Sequence, residues 1–156
     1  MILIIHTAFS VIALLLGIIF LSPKGTKKHK TMGYLYIFSM MVCLITSFGL
    51  FSLWGSFGIY HALSIVSFLT LMIALYFPLF GRKKKNWIEH HLIWMGYSYV
   101  GLVMAAGSHL FSVVPDWPGW LRMALFWALP YILGSFFIFR NKTKGAKSAA
   151  NNIGKS

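Results

Sequence analysis

Thirteen of the fourteen Lys and Arg residues in this chain fall in three short clusters, and the stretches between them are almost entirely apolar. The clusters are Lys24, Lys27, Lys28 and Lys30; Arg82, Lys83, Lys84 and Lys85; and Arg140, Lys142, Lys144, Lys147 and Lys155. Cytoplasmic loops of membrane proteins carry an excess of Lys and Arg. Three basic clusters on that side therefore require two bilayer crossings between consecutive clusters. Composition agrees: 58% of residues are hydrophobic and 10% charged, which takes the chain out of the soluble class. In a soluble protein a net charge of +12 would suggest nucleic acid. Here the cations border spans of hydrocarbon-crossing length with no basic, aromatic-interleaved helix face outside them, so anionic lipid headgroups are the expected counter-ions.

Five spans meet the length rule, at about 2–22, 31–54, 58–80, 89–114 and 119–139. The predicted fold is thus an all-α, polytopic membrane bundle of five helices occupying residues 1–140, with residues 141–156 as a basic, disordered cytoplasmic tail. The first segment has no basic stretch before its apolar core and no small-residue cleavage pattern before Pro23, so it reads as a retained span with an outside N-terminus. Five crossings then put the C-terminus in the cytoplasm. Residues 55–57 and Pro115-Asp116-Trp117-Pro118-Gly119 are the outer turns. Trp54, Trp117 and Trp120 fall at the outer interface and Trp87 and Trp94 near the inner one. The one basic exception, Arg122, is expected to reach the outer headgroups or pair with Asp116. Cys43 is the single cysteine and lies in an apolar run, so no intrachain disulfide is available.

In lipid, helices associate through small residues and polar contacts, so stripes of these mark inward faces. The first span carries His6, Ser10, Ala13 and Gly17, and the second Gly33, Tyr36, Met40, Cys43 and Ser47, with His29 one turn earlier. The third offers His61, Ser64 and Ser67. In the fourth, His91, Trp94, Ser98, Gly101, Ala105, Ser108 and His109 lie within a sector of roughly 100°. Gly17, Gly33, Ser98, Gly101 and Ala105 are the expected packing stripe. By depth, His6, His61 and His109 group near the outer boundary and His29, His90 and His91 near the inner one.

Imidazole suits haem iron, zinc and copper. A histidine trio at one depth could therefore form an all-histidine metal site or supply a pair of axial haem ligands. Headgroup and backbone hydrogen bonding is the competing structural role for each histidine. Glu89, beside His90 and His91, is expected to favour the helix N-terminus or pair with Lys83, Lys84 or Lys85, with proton transfer as the functional alternative. No Ser-His-Asp constellation, phosphate-binding glycine loop or paired carboxylates are visible, so hydrolase and nucleotide chemistry lack support.

The run Arg82–Lys85, His91, Trp94-Met95, Ser98-Tyr99 and Gly101-Leu102, together with His29, Gly33, Tyr36 and His61-Ala62-Leu63-Ser64-Ile65, resembles the bacterial membrane proteins of the domain of unknown function 2306 family. The similarity runs from about residue 26 to 114. The chain departs from a common family form at Tyr97, where an Arg often precedes the Ser-Tyr pair, and at Ser108-His109. The resemblance implies architecture and draws attention to His29, His61 and His91, but names no reaction. The leading functional expectation is a small redox or metal-handling membrane protein binding b-type haem or a transition metal through its histidines. The alternative is a non-catalytic component that binds a membrane protein partner, a lipid or a small solute. A transporter ranks third, because no inverted repeat is evident.

Overall fold

A computed structural model describes residues 1–18, 22–50 and 58–154 of the chain. Trp54, the 55–57 turn and Lys155 lie outside them. The described residues form α1 (Ile2–Leu16), α2 (Lys27–Ser47), α3 (Ile59–Leu79), α4 (Trp87–His109) and a long rod α5 (Gly119–Ile153), and contain no strand. Three of these, Lys27–Ser47, Tyr60–Leu79 and Gly119–Ile153, are long and apolar enough to cross a membrane. α1 spans 15 residues, and α4 is long but diluted by Glu89, His90, His91 and its Ser, Gly and Tyr residues. Each of the five helices overlaps one expected span, with α2 starting earlier and α5 running past residue 139, while length and composition qualify three of them for crossing.

Local sequence explains the boundaries. Thr26 begins α2 by accepting the His29 N–H at 3.2 Å. Asn86 precedes α4 in the left-handed region at φ 62, where a short polar side chain is tolerated. Pro118 precedes α5, whose first turn is α-helical to Met123. Ala124–Ala128 then form a π turn before Pro130, which cannot donate the N–H that an α-helix would give to the Phe126 carbonyl.

α1 packs on α2, α3 on α4, and α4 on α5, while α2–α3 and α1–α4 contacts close a four-helix ring more loosely. α2 and α4 thus face each other across the ring. Its interior holds Ala13, Tyr36, Met40, Leu44, Leu71, Ala74, Met95 and Leu102. Two polar ties cross it: Tyr36 Oη and Ser98 Oγ at 3.0 Å, and the Tyr99 hydroxyl donating to the Leu14 carbonyl at 3.2 Å. Between membrane helices the apolar gain is small because lipid is equally apolar, so such ties and close packing carry much of the association. On α5, Leu129, Ile132, Leu133, Phe136, Phe137 and Phe139 are exposed, a face suited to lipid. Within the expected packing stripe, Gly17 meets Tyr99, Ser98 is buried and Gly101 approaches Ser67. Gly33 faces open space and Ala105 is exposed, so these two lie off the contact.

The tail expected to be disordered is instead helical as far as Ile153. A free segment of this composition would have to nucleate a helix, whereas here it only extends one already formed, which costs far less. It also docks. Ala149 is buried against the α1–α2 loop at Gly25, and Asn152 Nδ2 donates to the Lys24 carbonyl at 2.6 Å. The loop and the tail therefore form a clasp at what we term the basic end of the bundle.

Burial in this clasp pulls Lys24 from its ordinary value of 10.5 down to about 8. A lysine lowered in the folded state binds fewer protons there than when unfolded. Stability therefore rises as pH climbs from about 8 to the ordinary lysine value of 10.5, and below 8, where both states are protonated, this group adds no further change. Thermal unfolding in detergent is expected to shift upward from pH 8 to pH 10, and Lys24→Met, with no charge to desolvate, should lose that part of the rise. Identical pH profiles for the two proteins would refute the effect.

Candidate functional site

His61 and His90 hold Nδ1 against the first turns of their own helices, and the other four histidines fall two at each end of the bundle, His29 and His91 at the basic end and His6 and His109 at the opposite one. His61, 3% exposed, accepts the Gly58 N–H at Nδ1 over 3.1 Å, which ties its ring to the first turn of its own helix. His90 is exposed, donates from Nδ1 to the Asn86 carbonyl at 2.9 Å and stacks on Phe77 with centroids 5.0 Å apart. Both rings are engaged locally.

At the basic end, His29 on α2 and His91 on α4 lie within electrostatic reach of one another and of Lys24. His91 Nδ1 stands 2.9 Å from the Ala74 carbonyl. A carbonyl only accepts, so Nδ1 carries the proton and the neutral ring presents a lone pair at Nε2. His29 Nδ1 is buried without a hydrogen-bond partner. On the same face of α2, one turn on, a side chain at Gly33 would meet nothing within 4 Å. Close by, Ile18, Ser22, Lys28 and Met32 line a cavity of about 120 Å³.

At the opposite end, His6 on α1 is held by α2. Its Nδ1 lies 3.0 Å from the Cys43 carbonyl and 3.1 Å from the Thr46 hydroxyl, which itself donates to the Val42 carbonyl at 2.7 Å. By the same reasoning the proton sits on Nδ1 and Nε2 is the bare nitrogen. His109, exposed in the last turn of α4, lies within electrostatic reach of His6. Ser10 joins the arrangement, 3.0 Å from Cys43 Sγ and donating to the His6 carbonyl at 2.7 Å.

Among the described residues, which include all six histidines, no three His, Cys, Asp or Glu side chains come together to hold a metal ion. The expected trios are therefore corrected to pairs, His29 with His91 and His6 with His109. The difference is one of orientation: His61 and His90 direct Nδ1 to the first turn of their own helices, whereas His6 and His91 direct it to a carbonyl of a neighbouring helix. Glu89 sits half-buried in the first turn of α4, where an anion is favourable. It makes no ion pair with Lys83, Lys84 or Lys85 among the described residues, and the Lys84 ammonium lies instead 5.0 Å from the Tyr76 ring centroid. Sequence reasoning overlooked Lys24 and Thr46 as partners of the histidines. Thr46 was legible in principle, since it falls three residues after Cys43 on the side of α2 that carries the stripe.

No curated protein and no solved structure matches the chain. A family does: residues 3–137 match the one described as "Predicted membrane protein (DUF2306)". The match extends to α1 and to the apolar half of α5 as well as to the central helices, and the chain belongs to that family of predicted membrane proteins.

Proposed function

We propose that the protein is a membrane electron carrier whose His29 and His91 would hold a b-type haem at the basic end. The observation that carries this reading is the placement of His29 and His91 at one end of the bundle, within electrostatic reach of each other. Two histidines start helices on opposite sides of the ring, one fixed by a backbone carbonyl so that Nε2 is available, the other with a buried nitrogen lacking any partner. Ligating histidines characteristically donate their second nitrogen to a carbonyl or carboxylate, which fixes tautomer and ring orientation. Two imidazoles are a donor pair that suits haem iron, and a Cβ at Gly33, one turn on from His29, would meet nothing within 4 Å. When bound, haem would supply one-electron transfer. The residues of this chain would hold it, orient it and keep water from it.

His6 and His109 form the corresponding pair at the other end, with His6 anchored on Cys43 and Thr46. His91 and His109 are separated by eighteen residues, about 27 Å along one helix, close to the hydrocarbon thickness. In this reading the basic end faces the cytoplasm, the N-terminus lies outside, all five helices cross, and the membrane is the bacterial cytoplasmic one. A second reading, binding of an anionic lipid headgroup at the basic end, is favoured by the cavity whose walls join Ile18 and Met32 to Ser22 and Lys28.

Protein expressed with haem available and purified in mild detergent is expected to show a Soret band. His29→Ala and His91→Ala should each abolish the band or shift it to a five-coordinate form, and His90→Ala should leave it unchanged. No Soret band in the parent protein, or an equal effect of His90→Ala, would sink the haem reading. Co-purified anionic lipid lost in Lys28→Gln would then support the second.

A further inference from the structure

We propose that the groove between α4 and α5 binds the alkyl chain of a single-chain amphiphile, with Arg122 pairing to its carboxylate. The groove is an open one of about 370 Å³ lined by Val103, Ala106, Gly107, Leu110, Phe126 and Pro130, all apolar. Its existence follows from the backbone. The π turn at Ala124–Ala128 and the proline behind it interrupt regular helix packing, and Gly107 lets α5 approach so closely that a Cβ there would stand 3.0 Å from the Phe126 carbonyl oxygen. π turns of this kind recur at functional sites.

The polar end is Arg122. It stands one turn before Phe126, with its guanidinium 5.7 Å from the centroid of Phe111, and Phe111 packs on Phe126 with centroids 5.7 Å apart. The cation is thus joined to the groove wall through two aromatic rings. Arg122 cannot shed its charge. Asp116, its expected partner, is exposed, and no ion pair joins the two. One nitrogen donates to the Phe111 carbonyl across a long 3.5 Å, and Nε is buried with no hydrogen-bond partner. A buried guanidinium donor left in this state is costly, and a bidentate carboxylate is the ligand whose geometry matches the guanidinium fork.

Size selects among anionic amphiphiles. The volume lies at the small end of ligand pockets, suited to one chain rather than a folded diacyl lipid. A long-chain fatty acid combines one apolar chain with a carboxylate. The site stands at the end of α4 away from His29 and His91, and shares no residue with either histidine pair.

The test uses full-length protein in an uncharged detergent with radiolabelled myristate. Saturable binding near one per chain is expected, weakened at least tenfold by Arg122→Gln and only modestly by Arg122→Lys. Ala106→Phe, which fills the groove without touching the cation, should abolish binding. Myristyl alcohol should bind weakly and equally to parent and Arg122→Gln. No saturable binding, equal myristate affinity in parent and Arg122→Gln, or retention in Ala106→Phe would overturn the proposal. Displacement of myristate by phosphatidylglycerol vesicles at lower concentration than by unlabelled myristate would also overturn it, by making the ligand a lipid phosphate. The haem spectrum should be the same in all variants, so this result and the histidine reading stand or fall separately.

Discussion

Gly17→Val is expected to lower the stability of the bundle by about 2–4 kcal/mol, combining the usual cost of overpacking with loss of one interhelical hydrogen bond. Gly17 has φ −60, a conformation any residue adopts, so the penalty is steric alone. A Cβ at this position would overlap the edge of the Tyr99 ring at Cε2 and Cδ2. The ring would have to leave, taking with it the Tyr99 hydroxyl that donates to the Leu14 carbonyl and ties α4 to α1. That contact belongs to one of the two looser seams of the ring, so little else would replace it. Titration from mild detergent into a denaturing one, followed by circular dichroism, would measure the shift. Gly33→Val is the control, since its Cβ would meet nothing within 4 Å. Equal destabilisation by the two would mean that the cost comes from losing any helix glycine rather than from the Tyr99 seat.

These two glycines also mark where sequence stopped being informative. Small residues at helical spacing identify Gly17 and Gly33 equally well, yet one seats a ring and the other faces open space, because the stripe gives a direction and not the height of the neighbouring side chain. Helix positions were legible because basic clusters and turn residues punctuate apolar runs. Which end of its helix each histidine occupies was also legible, since that needs only the rise per residue. What could not be read was ring orientation. His61 and His91 both start or follow the start of a helix, but Nδ1 of His61 accepts from its own first turn while Nδ1 of His91 reaches across to α3. That choice depends on which backbone carbonyl or N–H happens to be left over nearby, a property of the assembled bundle. The tail misled for a similar reason. Its composition reads as disordered when taken alone, but it inherits a helix from Leu129 onward and finds a left-handed glycine to dock against.

Replacing that glycine should open the basic end without unfolding the rest. Gly25 holds φ +79, and a side chain there would place Cβ 2.8 Å from the Ala149 carbonyl oxygen and 3.3 Å from Asn152 Cβ. Gly25→Val therefore carries two penalties, about 1–2 kcal/mol for the left-handed backbone and about 1–3 kcal/mol for the clash. Gly25→Asn separates them, because asparagine tolerates the backbone but still meets Ala149. Both should free the helix beyond Arg140, seen as faster tryptic release of the tail at Lys142, Lys144 and Lys147, while the α1–α4 core remains protected because none of its buried residues touches Gly25. The same opening returns water to Lys24. The rise in stability between pH 8 and pH 10 should therefore vanish in Gly25→Val as it does in Lys24→Met. If Gly25→Val released the tail yet kept that rise, the lowered Lys24 value would have to come from the bundle itself and not from the docked tail.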